Sequence, residues 1–193
     1  MVGIALLCAA AAVWMSPGPL MAGDIPPGIT VRVYETAGLP SALEQRAFAE
    51  AGALLRAAFV DVRWLECTGA NHAPACDVPL GPSEFVLVIR KGGECPVISA
   101  ALGKALVPHR GGGVLATVYF GQVACLAMTT NADVAVLLGR VTAHELGHLM
   151  MQNPKHSPRG LMRERWTPHE VRRNHASDWA FTAADAAAMR CPQ

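Results

Sequence analysis

Two histidines four residues apart, His144 and His148, flank a glutamate, Glu145, in a segment that reads His-Glu-Leu-Gly-His. In a helix, side chains four positions apart lie one above the other on the same face, so both imidazoles can bind one metal ion. Neutral imidazoles are common ligands of Zn²⁺, and a zinc site with one open position lowers the pKa of a bound water to about 7. Glu145 would accept that water's proton as a general base during attack on a carbonyl carbon.

A zinc site of this kind needs a third protein ligand, and His156 is the first candidate. It follows Pro154, where the helix must end because proline cannot donate its backbone amide. A turn between His148 and His156 would bring the third imidazole back to the metal. Four other side chains compete for this role, Glu170 first among them because some zinc peptidases use a glutamate ligand; the four are Glu164, His169, Glu170 and His175.

The residues from His156 onward resemble those of a known family. His156-Ser157, then Gly160-Leu161-Met162 and Trp166, are similar to the stretch in which the matrixin branch of the metzincin clan of zinc endopeptidases has its third zinc histidine and its Met-turn. This resemblance implies that Met162 is the hydrophobic floor of the metal site. Segment 141–166 is also similar to a group of small secreted bacterial proteins with metalloprotease-like sequences.

The clan's pattern, H-E-x-x-H-x-x-G-x-x-H, is not followed throughout. Met151 stands at the glycine position and Pro154 at the position of the third histidine, so His156 is displaced by two residues. This displacement favours an alternative, a zinc-stabilised secreted binding module without turnover. The presence of Glu145 favours an enzyme, because a structural zinc site needs only its ligands. A zinc hydrolase acting on another kind of bond would use the same residues.

The resemblance implies a secreted zinc-dependent metallopeptidase, an endopeptidase acting on a peptide or protein substrate. Its cofactor would be Zn²⁺ bound by His144, His148 and His156, with Glu145 as the general base. In that clan an edge strand above the cleft pairs with the substrate main chain. We expect residues 114–120, which follow three glycines, to form this edge strand.

The periodicity of apolar residues predicts the elements that position this site. The expected fold is α+β, with a twisted mixed β-sheet, two long helices of which the second carries the zinc site, and a small helical C-terminal lower half. Capping signals mark several helix starts: a Ser41–Glu44 capping box, Asn131 as the N-cap of the zinc helix, and Thr167 and Thr182 before two short helices. The predicted strands are 29–34, 60–66, 84–90 and 114–120, and the predicted long helices are 41–59 and 131–152.

Length and composition indicate one domain, residues 23–193. The chain has 193 residues, 52% of them hydrophobic and 16% charged, with a formal net charge of +1. This balance argues against a nucleic-acid partner, which would require a basic surface. Residues 1–22 contain an apolar run too short to span a bilayer and are predicted to be a signal peptide cut near Ala22. We therefore expect a secreted or periplasmic monomer with no membrane span after signal removal.

The cysteines agree with an oxidising compartment. Apart from Cys8 in the predicted signal peptide there are five, an odd number. Cys67 and Cys76 bracket a loop rich in Gly, Asn and Pro and are expected to pair. We expect Cys95 to pair with Cys125, which leaves Cys191 single.

Overall fold

The computed structural model describes residues 28–70, 72–92, 95, 101–108 and 112–190. The predicted signal peptide and Cys191 lie outside these ranges. The described strands are β1 (Gly28–Glu35), β2 (Asp61–Glu66), β3 (Glu84–Arg90), β4 (Gly103–Leu106) and β5 (Leu115–Tyr119). The described α-helices are α1 (Ser41–Ala57), α2 (Phe120–Thr130), α3 (Val134–Met151), α4 (Pro168–Arg173) and α5 (Ala183–Arg190).

The strands form one mixed sheet in the order β2-β1-β3-β5-β4. Strands β2, β1, β3 and β5 are parallel to one another, and β4 is antiparallel to β5. Strand residues that point into the core are apolar and fully buried: Val31, Val33, Leu87, Ile89, Ala116 and Val118. Burial of this surface stabilises the fold by about 25 cal/mol per Å² of apolar area removed from water. The predicted α+β fold with a mixed sheet is thereby confirmed.

The two long helices, α1 and α3, pack against each other and against the sheet. Phe48 of α1 stacks on Trp64 of β2 with ring centroids 4.5 Å apart. Helix α3 is buried almost all round, including several polar side chains. Because a buried polar group is costly without a partner, these side chains call for a functional or structural explanation.

The prediction that residues 114–120 form the open edge strand is wrong. Within the described residues β5 pairs with β3 on one side and β4 on the other, so β4 is the edge strand. A run of four residues, Gly-Lys-Ala-Leu, has too little alternation to predict a strand, and its pairing with β5 stabilises it. Phe120 is not in a strand either, because α2 begins there.

Two helix starts also differ from the prediction. Asn131 is the left-handed C-cap of α2, and Asp133 is the N-cap of α3, accepting hydrogen bonds from the amides of Ala135 and Val136. Helix α1 begins at Ser41 itself without a side-chain cap. The capping signals of the lower half are confirmed, because a Thr167–Glu170 capping box opens α4 and Thr182 caps α5.

Both predicted disulfides are present. Cys67 bonds to Cys76 and Cys95 bonds to Cys125, with Cα atoms 5.7 and 5.4 Å apart. Buried Arg32 fixes the chain just after the first disulfide, because its guanidinium donates to the Val78 carbonyl over 2.7 Å. No helix in the described ranges has the length and apolar character needed to cross a bilayer.

Candidate metal site

Three imidazoles converge where α3 meets the chain that follows it. The Nε2 atoms of His144 and His148 are 3.1 Å apart. The ring of His156 lies 5.4 Å from that of His144 and 4.8 Å from that of His148, centroid to centroid. One nitrogen from each of the three rings lies within 4.8 Å of the other two. The structure therefore brings the three sequence-predicted ligands together.

Hydrogen bonds orient two of these rings toward a common point. The Nδ1 atom of His144 is 2.9 Å from the Leu161 carbonyl oxygen, and that of His148 is 2.8 Å from the Asn153 carbonyl oxygen. A carbonyl can only accept, so both Nδ1 atoms carry the hydrogen and both Nε2 atoms present lone pairs. Two lone pairs 3.1 Å apart repel each other unless a cation lies between them. This donor set fits Zn²⁺, which favours imidazole nitrogens.

Burial keeps the first two histidines neutral, the form that binds a metal. Burial lowers the pKa of His144 to about 3, with the nearby His148 as a second cause. Burial likewise lowers the pKa of His148, and the Asn153 carbonyl partly opposes the shift. His156 is exposed, so the site opens to solvent on that side.

Glu145 lies beside the cluster without belonging to it. Its side chain is buried between α3 and β4, with a residue exposure of 6%. Burial raises the pKa of this carboxyl to about 8, and the backbone of Ala105 partly opposes the shift. A carboxyl group whose pKa lies this close to physiological pH is suited to exchanging protons there.

In the metal-free chain these groups make the free energy of unfolding depend on pH, and His144 and Glu145 act in opposite directions. His144 has a depressed pKa when folded, so its stabilising contribution is complete above 6.5 and is lost as the pH falls toward 3. His148 acts in the same direction. Glu145 has a raised pKa, so its contribution is complete below 4.5 and is lost as the pH rises to about 8.

Urea unfolding of the chelated chain between about pH 5 and pH 8 measures this dependence. Each group contributes a slope of at most about 1.4 kcal/mol per pH unit. Below pH 6.5 Glu145 opposes the two histidines, and Glu44, whose pKa burial raises to about 7, acts in the same direction as Glu145. Glu145→Gln should make the free energy of unfolding decline less steeply between pH 6.5 and about 8 than it does in the wild type, and parallel pH profiles for the two chains would contradict the assignment.

Met162 packs beneath the turn of α3 that carries the histidines. It is fully buried. A Cβ atom on Gly147 would lie 2.8 Å from the Met162 sulfur and 2.9 Å from a ring carbon of Phe181. Gly147 is thus the residue that allows Met162 to approach α3 this closely. This position agrees with the floor expected from the sequence resemblance, although its role toward a metal stays a prediction.

The loop that carries His156 is anchored to α5 in the C-terminal part of the chain. The Ser157 amide donates to the Met162 carbonyl over 2.9 Å, and the Ser157 hydroxyl donates to Asp185 of α5 over 2.6 Å. Asp185 is buried and also accepts from the amide and hydroxyl of Thr182. Sequence reasoning found the Thr182–Asp185 cap but missed its connection to the metal-site loop.

The rival ligands have other positions. Glu170 accepts from the amide and hydroxyl of Thr167 and lies 3.7 Å from Arg163, so its carboxylate caps α4. His175 contacts Ser177 over 3.1 Å. Glu164 lines the cavity beside the site. Of the described residues, only His144, His148 and His156 bring three possible metal-ligand atoms within 4.8 Å of one another.

A cavity of about 500 Å³ adjoins two of the three histidines, His144 and His156. Its walls are the start of β4, one side of α2, the middle of α3 and residues 163–168. His144, Glu145 and His156 line it, so two of the candidate ligands and the carboxyl group are accessible from one space. Trp166, which also lines the cavity, packs at right angles to the His144 ring, with ring centroids 5.8 Å apart.

No protein-family model and no curated protein matches this chain. Solved structures do resemble it. A zinc-dependent peptidase from Methanocorpusculum labreanum (strain Z) has a TM-score of 0.55 at 14% identity, over 82% of this chain and 99% of that one. Archaemetzincin from Methanopyrus kandleri has a TM-score of 0.50 at 17% identity, over 83% and 93%. The likeness establishes the fold, and the matrixin branch inferred from the sequence stays a prediction.

Proposed function

We propose that this protein is a zinc-dependent metallopeptidase, with His144, His148 and His156 as the zinc ligands and Glu145 as the general base. The observation that carries the proposal is the convergence of three imidazoles, two with Nε2 lone pairs 3.1 Å apart, beside a buried carboxylate. The structural likeness to a zinc-dependent peptidase supports it. When bound, Zn²⁺ would polarise the substrate carbonyl and lower the pKa of a water.

Glu145 performs the proton transfers in this mechanism. It takes a proton from the attacking water and returns it to the nitrogen of the leaving amine. The carboxyl group is buried, which keeps it away from bulk solvent and makes its proton affinity high enough for both steps. Its position next to the ligands, rather than among them, leaves it free for this role.

Among the described residues no strand pairs with the edge of β4 that faces away from β5, and this edge is suited to bind an extended peptide. The Tyr119 amide donates to the Leu102 carbonyl over 2.9 Å, and Gly103 pairs with Val118 in the antiparallel register. In that register alternate residues bond to β5, so the main-chain groups of Gly103 and Ala105 point away from β5, and the Ala105 backbone also hydrogen-bonds to the Glu145 carboxyl group. A substrate strand pairing there would run past Glu145, with a side chain in the adjacent cavity.

The disulfides support an oxidising compartment. Two disulfides are present, and such bonds persist mainly in oxidising compartments. We propose that the chain acts in the periplasm or outside the cell, as a monomer, on peptide or protein substrates. Matrixin-type membership, in which Met162 forms the floor of the zinc site, is part of the same proposal.

The alternative is a zinc-stabilised binding module without turnover. The observation that favours it is the exposed position of His156 together with its two-residue displacement from the clan's pattern. Incubating the zinc-loaded, oxidised chain with a mixture of unstructured peptides separates the two functions. We expect new peptide termini by mass spectrometry, whereas intact peptides at full zinc occupancy would favour the binding module.

A further inference from the structure

Glycine at position 103 bears directly on Glu145. We propose that Gly103 is a positioning residue for Glu145, because the missing side chain at this point of β4 lets the carboxylate lie against the strand. The catalytic meaning of this contact rests on the proposed function. The contact itself can be tested whether or not the protein is a peptidase.

The space at Gly103 is already filled by the glutamate. A Cβ atom built there would lie 2.6 Å from Oε1, 2.7 Å from Cγ and 2.9 Å from Cδ of Glu145. Cβ atoms in real proteins essentially never approach another heavy atom so closely. The backbone of Gly103 is not in the left-handed region, so its φ angle does not require glycine. The requirement comes from the Glu145 side chain.

Neither partner can move away without cost. Glu145 is fixed on α3 between two candidate ligands and is only 6% exposed. Strand β4 is paired with β5 at Val118, and Gly113, shortly before β5, is held to the end of α3 by Gln152. The Gln152 side chain accepts from the Gly113 amide over 2.9 Å and donates to the Gly113 carbonyl over 3.2 Å.

A methyl group at position 103 would therefore displace the carboxylate from its place beside the histidines. The same residue presents its main chain to the open edge where the proposed substrate strand pairs. Gly103 thus fixes the distance between the base and the bound peptide. A displacement of about 1 Å at such a point can cost about 10²-fold in rate.

A double-mutant cycle on melting temperature tests the contact. The full zinc-loaded chain is compared with Gly103→Ala, Glu145→Ala and the double variant. We expect Gly103→Ala to lower Tm by about 3–8 °C through overpacking, and to have no such cost in the Glu145→Ala background. Gly28→Ala is the matched control, because nothing lies within 4 Å of a Cβ at that strand glycine. It should leave Tm unchanged or slightly raised.

An equal loss of Tm in both backgrounds, or no loss in either, would overturn the proposal. Peptide hydrolysis gives a second readout, in which Gly103→Ala should lower kcat by about 10–100-fold with little change in KM. That loss should be smaller in a Glu145→Asp background, where the side chain is one methylene shorter. If no variant cleaves any peptide, the proposed function fails and the melting-temperature cycle alone decides the role of Gly103.

Discussion

Replacing Glu145 with glutamine should lower kcat for peptide hydrolysis by about 10³-fold while one zinc ion per chain remains bound. The amide has the shape of the carboxyl group but cannot accept the water's proton. Glu145 is not among the three clustered imidazoles, so zinc binding should survive the change. Steady-state kinetics and elemental analysis on the same preparation measure both quantities.

The matched control is Glu66→Gln at the end of β2. Glu66 is exposed and lies away from the three histidines, and its carboxylate accepts from the Thr68 amide, a bond that a glutamine oxygen can also accept. This variant should keep both zinc and the full rate. Equal rates for wild type and Glu145→Gln would remove Glu145 from the mechanism.

Replacing His156 with alanine should abolish stoichiometric zinc binding and, with it, peptide hydrolysis. Two imidazoles remain in this variant. We expect zinc affinity to fall by at least about 10²-fold, since even the mutation of a residue that only hydrogen-bonds to a zinc ligand lowers metal affinity by about 10- to 100-fold. Competition with a chromophoric chelator measures the affinity. His156 is exposed, so its removal should leave the fold intact.

Glu170→Gln tests the rival ligand in the same assay. The glutamine oxygen can still accept from the Thr167 amide, so the cap of α4 should persist. We expect this variant to bind zinc like the wild type. Zinc kept by His156→Ala and lost by Glu170→Gln would reassign the third ligand to Glu170.

The zinc helix and its partners were predictable because their signals are local. The four-residue spacing of His144 and His148 places both on one helical face, whatever surrounds them. The capping pairs at Thr167 and Thr182 likewise act within a few residues. The loop between Cys67 and Cys76 is short enough for pairing to be expected from its composition.

The edge strand was not predictable for the opposite reason. Residues 103–106 become a strand through pairing with β5, a non-local contact. Helix α2 also escaped prediction, and its presence changes Asn131 from the expected N-cap into a C-cap. The chain around residue 131 offers two cap-forming side chains, Asn131 and Asp133, and only the end of α2 decides between them.

The chemistry of Glu145 depends on contacts that a motif does not contain. The motif places Glu145 next to two imidazoles, but the raised pKa comes from burial between α3 and β4. The close approach to Gly103 joins residues 42 positions apart in the chain. Hydrogen bonds to the carbonyls of Leu161 and Asn153 fix the His144 and His148 rings, and they depend on the path of the following loop.

The central claim is that one zinc ion, bound by three histidines, makes this chain a peptidase. The most direct test titrates Zn²⁺ into the chelated, oxidised chain while the cleavage of a quenched fluorescent peptide library is recorded. We predict no cleavage at the start and a rate that rises linearly to a break at one zinc per chain. Zinc bound at one per chain with no cleavage anywhere in the library, or cleavage that is unaffected by chelation, would contradict the proposed zinc-dependent peptidase.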